Sequence, residues 1–87
     1  MVEDTLLEFP CDFPIKIMGE RRDDFVQCMV EVVRRHAGDF AAETAEMRAS
    51  RGGRYISLTC TIRASSKAQL DALYHELSAH PWVKVLL

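Results

Sequence analysis

The chain has 87 residues, of which 48% are hydrophobic and 28% charged, an ordinary globular composition rather than a disordered or membrane one. Its 11 Lys and Arg against 13 Asp and Glu leave a net charge of −2 and a pI near 5.9, so no overall field draws it to phosphate backbones. A chain of this size is one domain and buries only roughly 60–65% of its unfolded surface.

The start, Met1 to Glu8, is acidic and lacks a long apolar run, which predicts neither a secretory signal nor a basic transit segment. No apolar stretch approaches the length of a membrane span. The three cysteines, Cys11, Cys28 and Cys60, are odd in number and form no CxxC. That argues against a disulfide framework or a zinc clip and for a reducing cytoplasm. Cys28 and Cys60 fall on predicted core faces, where a free thiol acts as a small hydrophobe.

Residues 1–10 read as a leader whose Leu6, Leu7 and Phe9 are expected to pack on the body of the domain. Phe13, Ile15 and Ile17 then alternate with Pro14, Lys16 and Met18, the period of two that marks a strand. Gly19 is expected to end it. From Asp23 or Asp24 to His36, the apolar positions Phe25, Cys28, Met29, Val32, Val33 and His36 recur at helical spacing. The aspartates suit the positive helix N-terminus, Arg34, Arg35 and His36 suit its C-terminus, and Gly38 stands where a left-handed cap belongs.

In the stretch from Phe40 to Ser50, Ala41, Ala42 and Ala45 prefer helix, but the order of elements demands an edge strand. Gly52-Gly53 signals a tight turn. From Tyr55 to Ala64, Ile56, Leu58, Cys60 and Ile62 alternate with polar residues, the clearest strand of the chain and therefore a central one. Ser66 followed by Gln69 is a capping-box pattern, and Leu70, Leu73, Tyr74 and Leu77 form a helical stripe that His80-Pro81 stops. Trp82 to Leu87 alternates as the last strand.

This order is the βαββαβ of an α+β, ferredoxin-like sandwich: a four-stranded antiparallel sheet of order 4-1-3-2 with two helices on one face. Ile15, Ile17, Ile56, Leu58, Cys60, Ile62, Val83 and Val85 are expected to point into the core. The uncovered face would carry Lys16, Met18, Ser57, Thr59, Thr61, Arg63, Lys84 and Leu86, joined by Trp82. Of these, Lys16, Ser57, Thr59, Thr61, Arg63, Lys84 and Leu86 form a candidate interface. A half-polar, half-apolar sheet face is where a protein partner or a second copy would lie.

Several strings carry a resemblance: Leu7-Glu8-Phe9-Pro10, Phe13-Pro14-Ile15-Lys16-Ile17-Met18-Gly19, Val30-Glu31-Val32-Val33-Arg34-Arg35-His36 followed by Gly38-Asp39-Phe40, and Leu73-Tyr74-His75-Glu76-Leu77. Together they resemble the YbeD-like family of short bacterial proteins of unknown function over nearly the whole chain. The resemblance implies a ferredoxin-like fold in a Gram-negative cytoplasm, similar to ACT-type regulatory domains that sense small molecules. It also implies a neighbourhood of lipoate-transfer genes. The family has no agreed active site, so it contributes no functional residues.

The residue inventory bears on chemistry. The chain has no Asn, which an acylphosphatase-like site needs to position water, and no paired thiols after the first strand for copper. His36, His75 and His80 lack ligand spacing, so no metal or other cofactor is expected. Asp23-Asp24 is read as capping rather than as a carboxylate pair. RNA recognition on this topology uses exposed aromatics of the central strands, and the third strand offers only Tyr55. Arg48, Arg51 and Arg54 at the hairpin tip are read as solvated charges. The expectation is a non-enzymatic regulatory or binding module for a small ligand or protein partner, possible as a homodimer. Its ligand would lie at Met18, Gly19, Glu20, Arg21 and Arg22. The alternative is an RNA- or ribosome-associated protein using Lys16, Arg51, Arg54, Arg63 and Lys84, although the charge balance disfavours nucleic acid.

Overall fold

A computed structural model describes residues 8–87. Leu6 and Leu7 of the expected leader lie outside the described residues, while Phe9 is half-buried against the core. The elements are β1 (Cys11–Glu20), α1 (Phe25–His36), a short 3-10 turn (Ala42–Thr44), β2 (Glu46–Ala49), β3 (Tyr55–Ala64), α2 (Lys67–Ala79) and β4 (Val83–Leu86). The sheet order is β2-β3-β1-β4 with every neighbouring pair antiparallel. This is the predicted 4-1-3-2 order, with β1 and β3 central.

The alternation of β1 and β3 fixes the core. Ile15 stands opposite Cys60 and Ile17 opposite Leu58, and all four are fully buried. Phe25, Met29, Val32 and Val33 of α1 and Leu70, Leu73 and Leu77 of α2 close over them. Cys28, expected in the core, sits half-buried at its rim.

Gly19 does not end β1, which continues to Glu20. A Cβ on Gly19 would lie 2.2 Å from the Trp82 carbonyl oxygen and 2.6 Å from the Phe25 ring. The glycine therefore serves close approach of the chain entering β4 rather than a turn.

At that point the pairing of β1 with β4 slips. Ile17 faces Leu86 and Met18 faces Val85, but Gly19 faces Val83, so Lys84 is the extra residue of a bulge. One inserted residue reverses the facing of everything after it. Leu86, expected on the open face, consequently shares the core face with Ile17 and packs on the core. Val85, expected inside, is 44% exposed. Leu87 takes the open-face place opposite Lys16, with Leu87 N donating to Lys16 O at 2.9 Å and Lys16 N to Leu87 O at 3.0 Å. Trp82 does not join the open face either, but packs half-buried against the core.

The helix ends also differ from expectation. Asp24 occupies the N-cap of α1 without a side-chain hydrogen bond, and the C-cap is Ala37 at φ −137°. Gly38 does not adopt a left-handed conformation, which only Gly52 and Gly53 among the described residues do. A distant side chain performs the capping: Gln69 Nε2 of α2 donates to the His36 carbonyl at 2.7 Å. At α2 the Ser66 hydroxyl accepts from Gln69 N at 3.1 Å as predicted. The return bond goes elsewhere, since Gln69 Oε1 accepts from Ser65 N at 2.6 Å. Glu76 then ties α2 to the end of α1 by pairing with Arg35 and with His36 Nε2, the latter at 2.7 Å.

The Ala-rich stretch resolves into both its tendencies. Ala42 begins the 3-10 turn, Ala41 and Ala45 flank it, and the edge strand keeps only Glu46–Ala49.

Candidate ligand-binding face

The face of the sheet away from the helices carries Lys16 and Met18 from β1, Ser57, Thr59, Thr61 and Arg63 from β3, Glu46 and Arg48 from β2, and Val85 and Leu87 at the β4 side. Among the described residues, two shallow concavities on it stand out. One, of about 330 Å³, is polar and lined by Lys16, Glu46, Met47, Arg48, Ser57 and Thr59. The other, of about 280 Å³, is mostly apolar, with Met18, Ala49, Ile56 and Leu87 in its lining and Lys16, Arg48, Ser50, Tyr55 and Ser57 around them. Neither Lys16 nor Arg48 makes an ion pair among the described residues. Arg63, by contrast, pairs across strands with Asp12 at 3.3 Å, with both side chains more than half exposed. Such a contact contributes little.

The predicted ligand turn is distributed rather than gathered. Met18 is half-buried and lines the apolar trough, Gly19 is buried, and Glu20, Arg21 and Arg22 are exposed. Arg21 N donates to Arg54 O at 2.8 Å, and its guanidinium lies close to Gly53, where an added Cβ would sit 3.1 Å away. The fold thus joins two basic clusters that are remote in sequence, the turn after β1 and the hairpin tip around Gly52 and Gly53. Arg22 stacks over Trp82, 4.6 Å from the ring centroid, a cation–π contact that fixes it at the other side of the same end.

Cys28 and His80 meet at 3.4 Å between Sγ and Nε2, a pair to be tested for nucleophilic chemistry. Trp82 N donates to His80 Nδ1 at 3.1 Å, so the neutral ring carries its proton on Nε2, facing the sulfur. That tautomer cannot accept the thiol proton. Burial, followed by the nearby Glu31 and Asp24, pushes the Cys28 thiol up. The contact is a hydrogen bond in which the ring N–H faces the sulfur, not a base poised to activate a nucleophile. Among the described residues no group of three or more His, Cys, Asp or Glu is placed to hold a metal, and no helix is long and apolar enough to cross a membrane.

For the RNA alternative, Arg51 and Arg54 stand in the β2–β3 hairpin turn, while Lys16 lies mid-way along β1 opposite Thr59. Lys84 sits in the bulge at the opposite sheet edge, and Arg63 is engaged with Asp12. Tyr55 is 40% exposed and stands at the start of β3. Phe13 is half-buried and set edge-on to Tyr74 at 6.3 Å. No stacking platform results. Sequence reasoning missed Glu46, Arg48, Val85 and Leu87 as members of the open face, because their facing depends on the extent of β2 and on the bulge.

Comparison with known proteins places the chain. It is 53% identical over 87 residues to a UPF0250 protein of Nitrosomonas europaea, covering 100% of both chains. It is 54% identical over 82 residues to a UPF0250 protein of Chromobacterium violaceum, covering 94% of this chain and 92% of the relative. In fold it is similar to the solution structure of protein HP0495 from H. pylori, with a TM-score of 0.75 at 15% identity over 100% of this chain and 94% of the other. It is also similar to the ACT domain of GTP pyrophosphokinase from Chlorobium tepidum, with a TM-score of 0.59 at 17% identity over 88% and 97%. These two likenesses show a shared ferredoxin-like, ACT-like fold. The family described as a protein of unknown function, DUF493, matches residues 4–87, and in agreement with the sequence resemblance, the chain belongs to it.

Proposed function

We propose that this chain is a non-catalytic, ACT-like binding module that takes a small carboxylate with an apolar body on its open sheet face. The observation that carries the reading is the trough of about 280 Å³ with Met18 and Leu87 in its lining and, at its rim, Lys16 and Arg48, which make no ion pair among the described residues. That volume is at the small end of ligand pockets. An apolar body would cover the exposed Leu87 and the half-buried Met18, while a carboxylate meets a lysine or arginine in a charge-assisted contact. Arg21, beside the hairpin tip, offers further positive charge at the adjoining end of the molecule. Free cysteines at 11, 28 and 60 suit a cytoplasmic site of action. The lipoate association implied by the resemblance supplies a natural probe, since lipoate is itself a carboxylate with an apolar body.

Calorimetric titration of the protein with lipoate and octanoate, with octanol as the uncharged control, tests this. Both carboxylates should bind, octanol about tenfold or more weakly, and Lys16→Glu should abolish the difference. The RNA alternative is tested with a uridine oligomer at about 50 and about 200 mM salt, between which phosphate contacts lose affinity steeply. Tight, salt-sensitive RNA binding with no response to the carboxylates would overturn the reading.

A further inference from the structure

The two edges of the sheet are built differently. The β4 edge carries a bulge at Lys84, and a bulge and a lysine are two of the devices by which natural sheets block edge-to-edge pairing. The β2 edge, Glu46-Met47-Arg48-Ala49, is exposed along its length and has no proline, lysine or bulge. Met47 projects on the helix side opposite Leu58 yet is 60% exposed.

The hydrogen-bond parity of this edge is fixed by the hairpin. Ser50 N donates to Tyr55 O at 2.9 Å, so Ser50, Arg48 and Glu46 direct their backbone groups toward β3. Met47 and Ala49 direct theirs outward. The side chains have a matching order, because Glu46 and Arg48 flank Met47 on the open face, opposite Thr59 and Ser57.

We propose that β2 is the pairing edge for a second copy of this chain, the two strands running antiparallel about a two-fold axis at Met47. In that register Met47 exchanges both backbone hydrogen bonds with its own counterpart, and Ala45 stands opposite Ala49 of the second copy. Glu46 faces the second copy's Arg48, and Arg48 faces its Glu46. A shift of two residues in either direction loses these reciprocal charge pairs, and a parallel arrangement sets like charges together. The sequence around Met47 is thus complementary to itself, as an isologous interface requires. The exposed Met47 side chains meet on the helix side, and the two open faces become one eight-stranded surface. Arg48 turns toward the junction and leaves Lys16 as the cation of the trough. Strands this short place the contact at the small, reversible end of protein interfaces.

Sedimentation equilibrium from about 10 µM to about 1 mM reads the association. The unmodified protein should move from monomer toward dimer across this range. Glu46→Arg and Arg48→Glu should each weaken the dimer about tenfold or more, because two facing pairs become like-charged. The double swap should restore it, and an equimolar mixture of the two single variants should associate more tightly than either alone. Met47→Pro removes an outward N–H that the β3 ladder does not use, so it should abolish pairing while leaving the thermal midpoint close to that of the unmodified monomer. Should that variant fail to fold, the charge variants decide, since their side chains are exposed. A single monomeric species throughout overturns the proposal. So does a dimer that ignores the charge variants, including one lost on Thr59→Arg, which would seat the second copy on the open face instead.

Discussion

Gly19→Ala isolates the requirement for space at the junction of β1 and β4. The added Cβ would stand 2.2 Å from the Trp82 carbonyl oxygen and 2.6 Å from Phe25 Cε1. Neither neighbour can yield cheaply: one is backbone and the other is a fully buried ring. Gly19 is not in the left-handed region, so its conformation alone would tolerate alanine. Removing a glycine should even stabilise by about 0.4–1 kcal/mol through the unfolded chain. Overpacking of a tight core costs about 1–3 kcal/mol, and a clash with backbone belongs at the upper end. The expected net loss is therefore about 2–3 kcal/mol, which lowers the thermal midpoint by roughly 8–24 °C for a domain of this size. Urea melts measure the loss, and amide exchange locates it. Protection should fall first in β4, whose entry at Trp82 must move, while the β1–β3 ladder holds. Gly52→Ala is the control, because Gly52 has φ +86° with nothing within 4 Å of an added Cβ. It should cost only about 1–2 kcal/mol of backbone strain and leave β4 protection unchanged. A loss under about 0.5 kcal/mol for Gly19→Ala would refute the reasoning that space, not backbone freedom, selects this glycine.

Leu58→Ala and Leu73→Ala, each truncating a fully buried side chain, should cost about 2–5 kcal/mol in urea melts, and values under about 0.5 kcal/mol would show the core wrongly placed. Burial pushes the Cys60 thiol from 9.0 to about 11, so the unfolded thiol ionises first as pH rises. The stabilisation tied to its neutral form is intact below about pH 9 and is lost toward pH 11, a slope that Cys60→Ala should remove from alkaline melts. The hydrogen bonds from Arg35 and then His36 hold the Glu76 carboxyl below its ordinary value. Its contribution is present above the usual carboxylate range and disappears as pH falls through the depressed value, so Glu76→Gln should flatten the acid limb slightly, the pair being largely solvent-screened.

The central strands and both helices were legible because each has one buried face whose period is short and unbroken. Ile15, Ile17, Leu58 and Cys60 announce their side of the sheet by alternation alone. β4 was misread for the same reason: Val83-Lys84-Val85-Leu86 alternates well enough as a regular strand, and only its pairing with Met18 and Gly19 reveals the inserted Lys84. The exchange of Val85 and Leu86 between faces follows from that single residue. Gly38 illustrates a local signal overridden at long range, for Gln69 reaches from the other helix to cap α1. Of the candidate site, Lys16, Met18, Ser57 and Thr59 were found from alternation. In sequence Arg48 is only a charge beside the hairpin tip, and the facing of Leu87 and Glu46 depends on the register. The meeting of Arg21 with the Gly53 hairpin had no sequence signal, because it joins loops 32 residues apart in the chain.

Occupation of the open sheet face by a small carboxylate with an apolar body is measured by titrating isotope-labelled protein with octanoate and following the amide chemical shifts. Saturable shifts should concentrate at Lys16, Met18, Ser57 and Leu87, and in Lys16→Glu should weaken to the level that octanol gives. Shifts confined to α1 and α2, or none at any octanoate concentration up to its solubility limit, would show that the open face holds no such ligand.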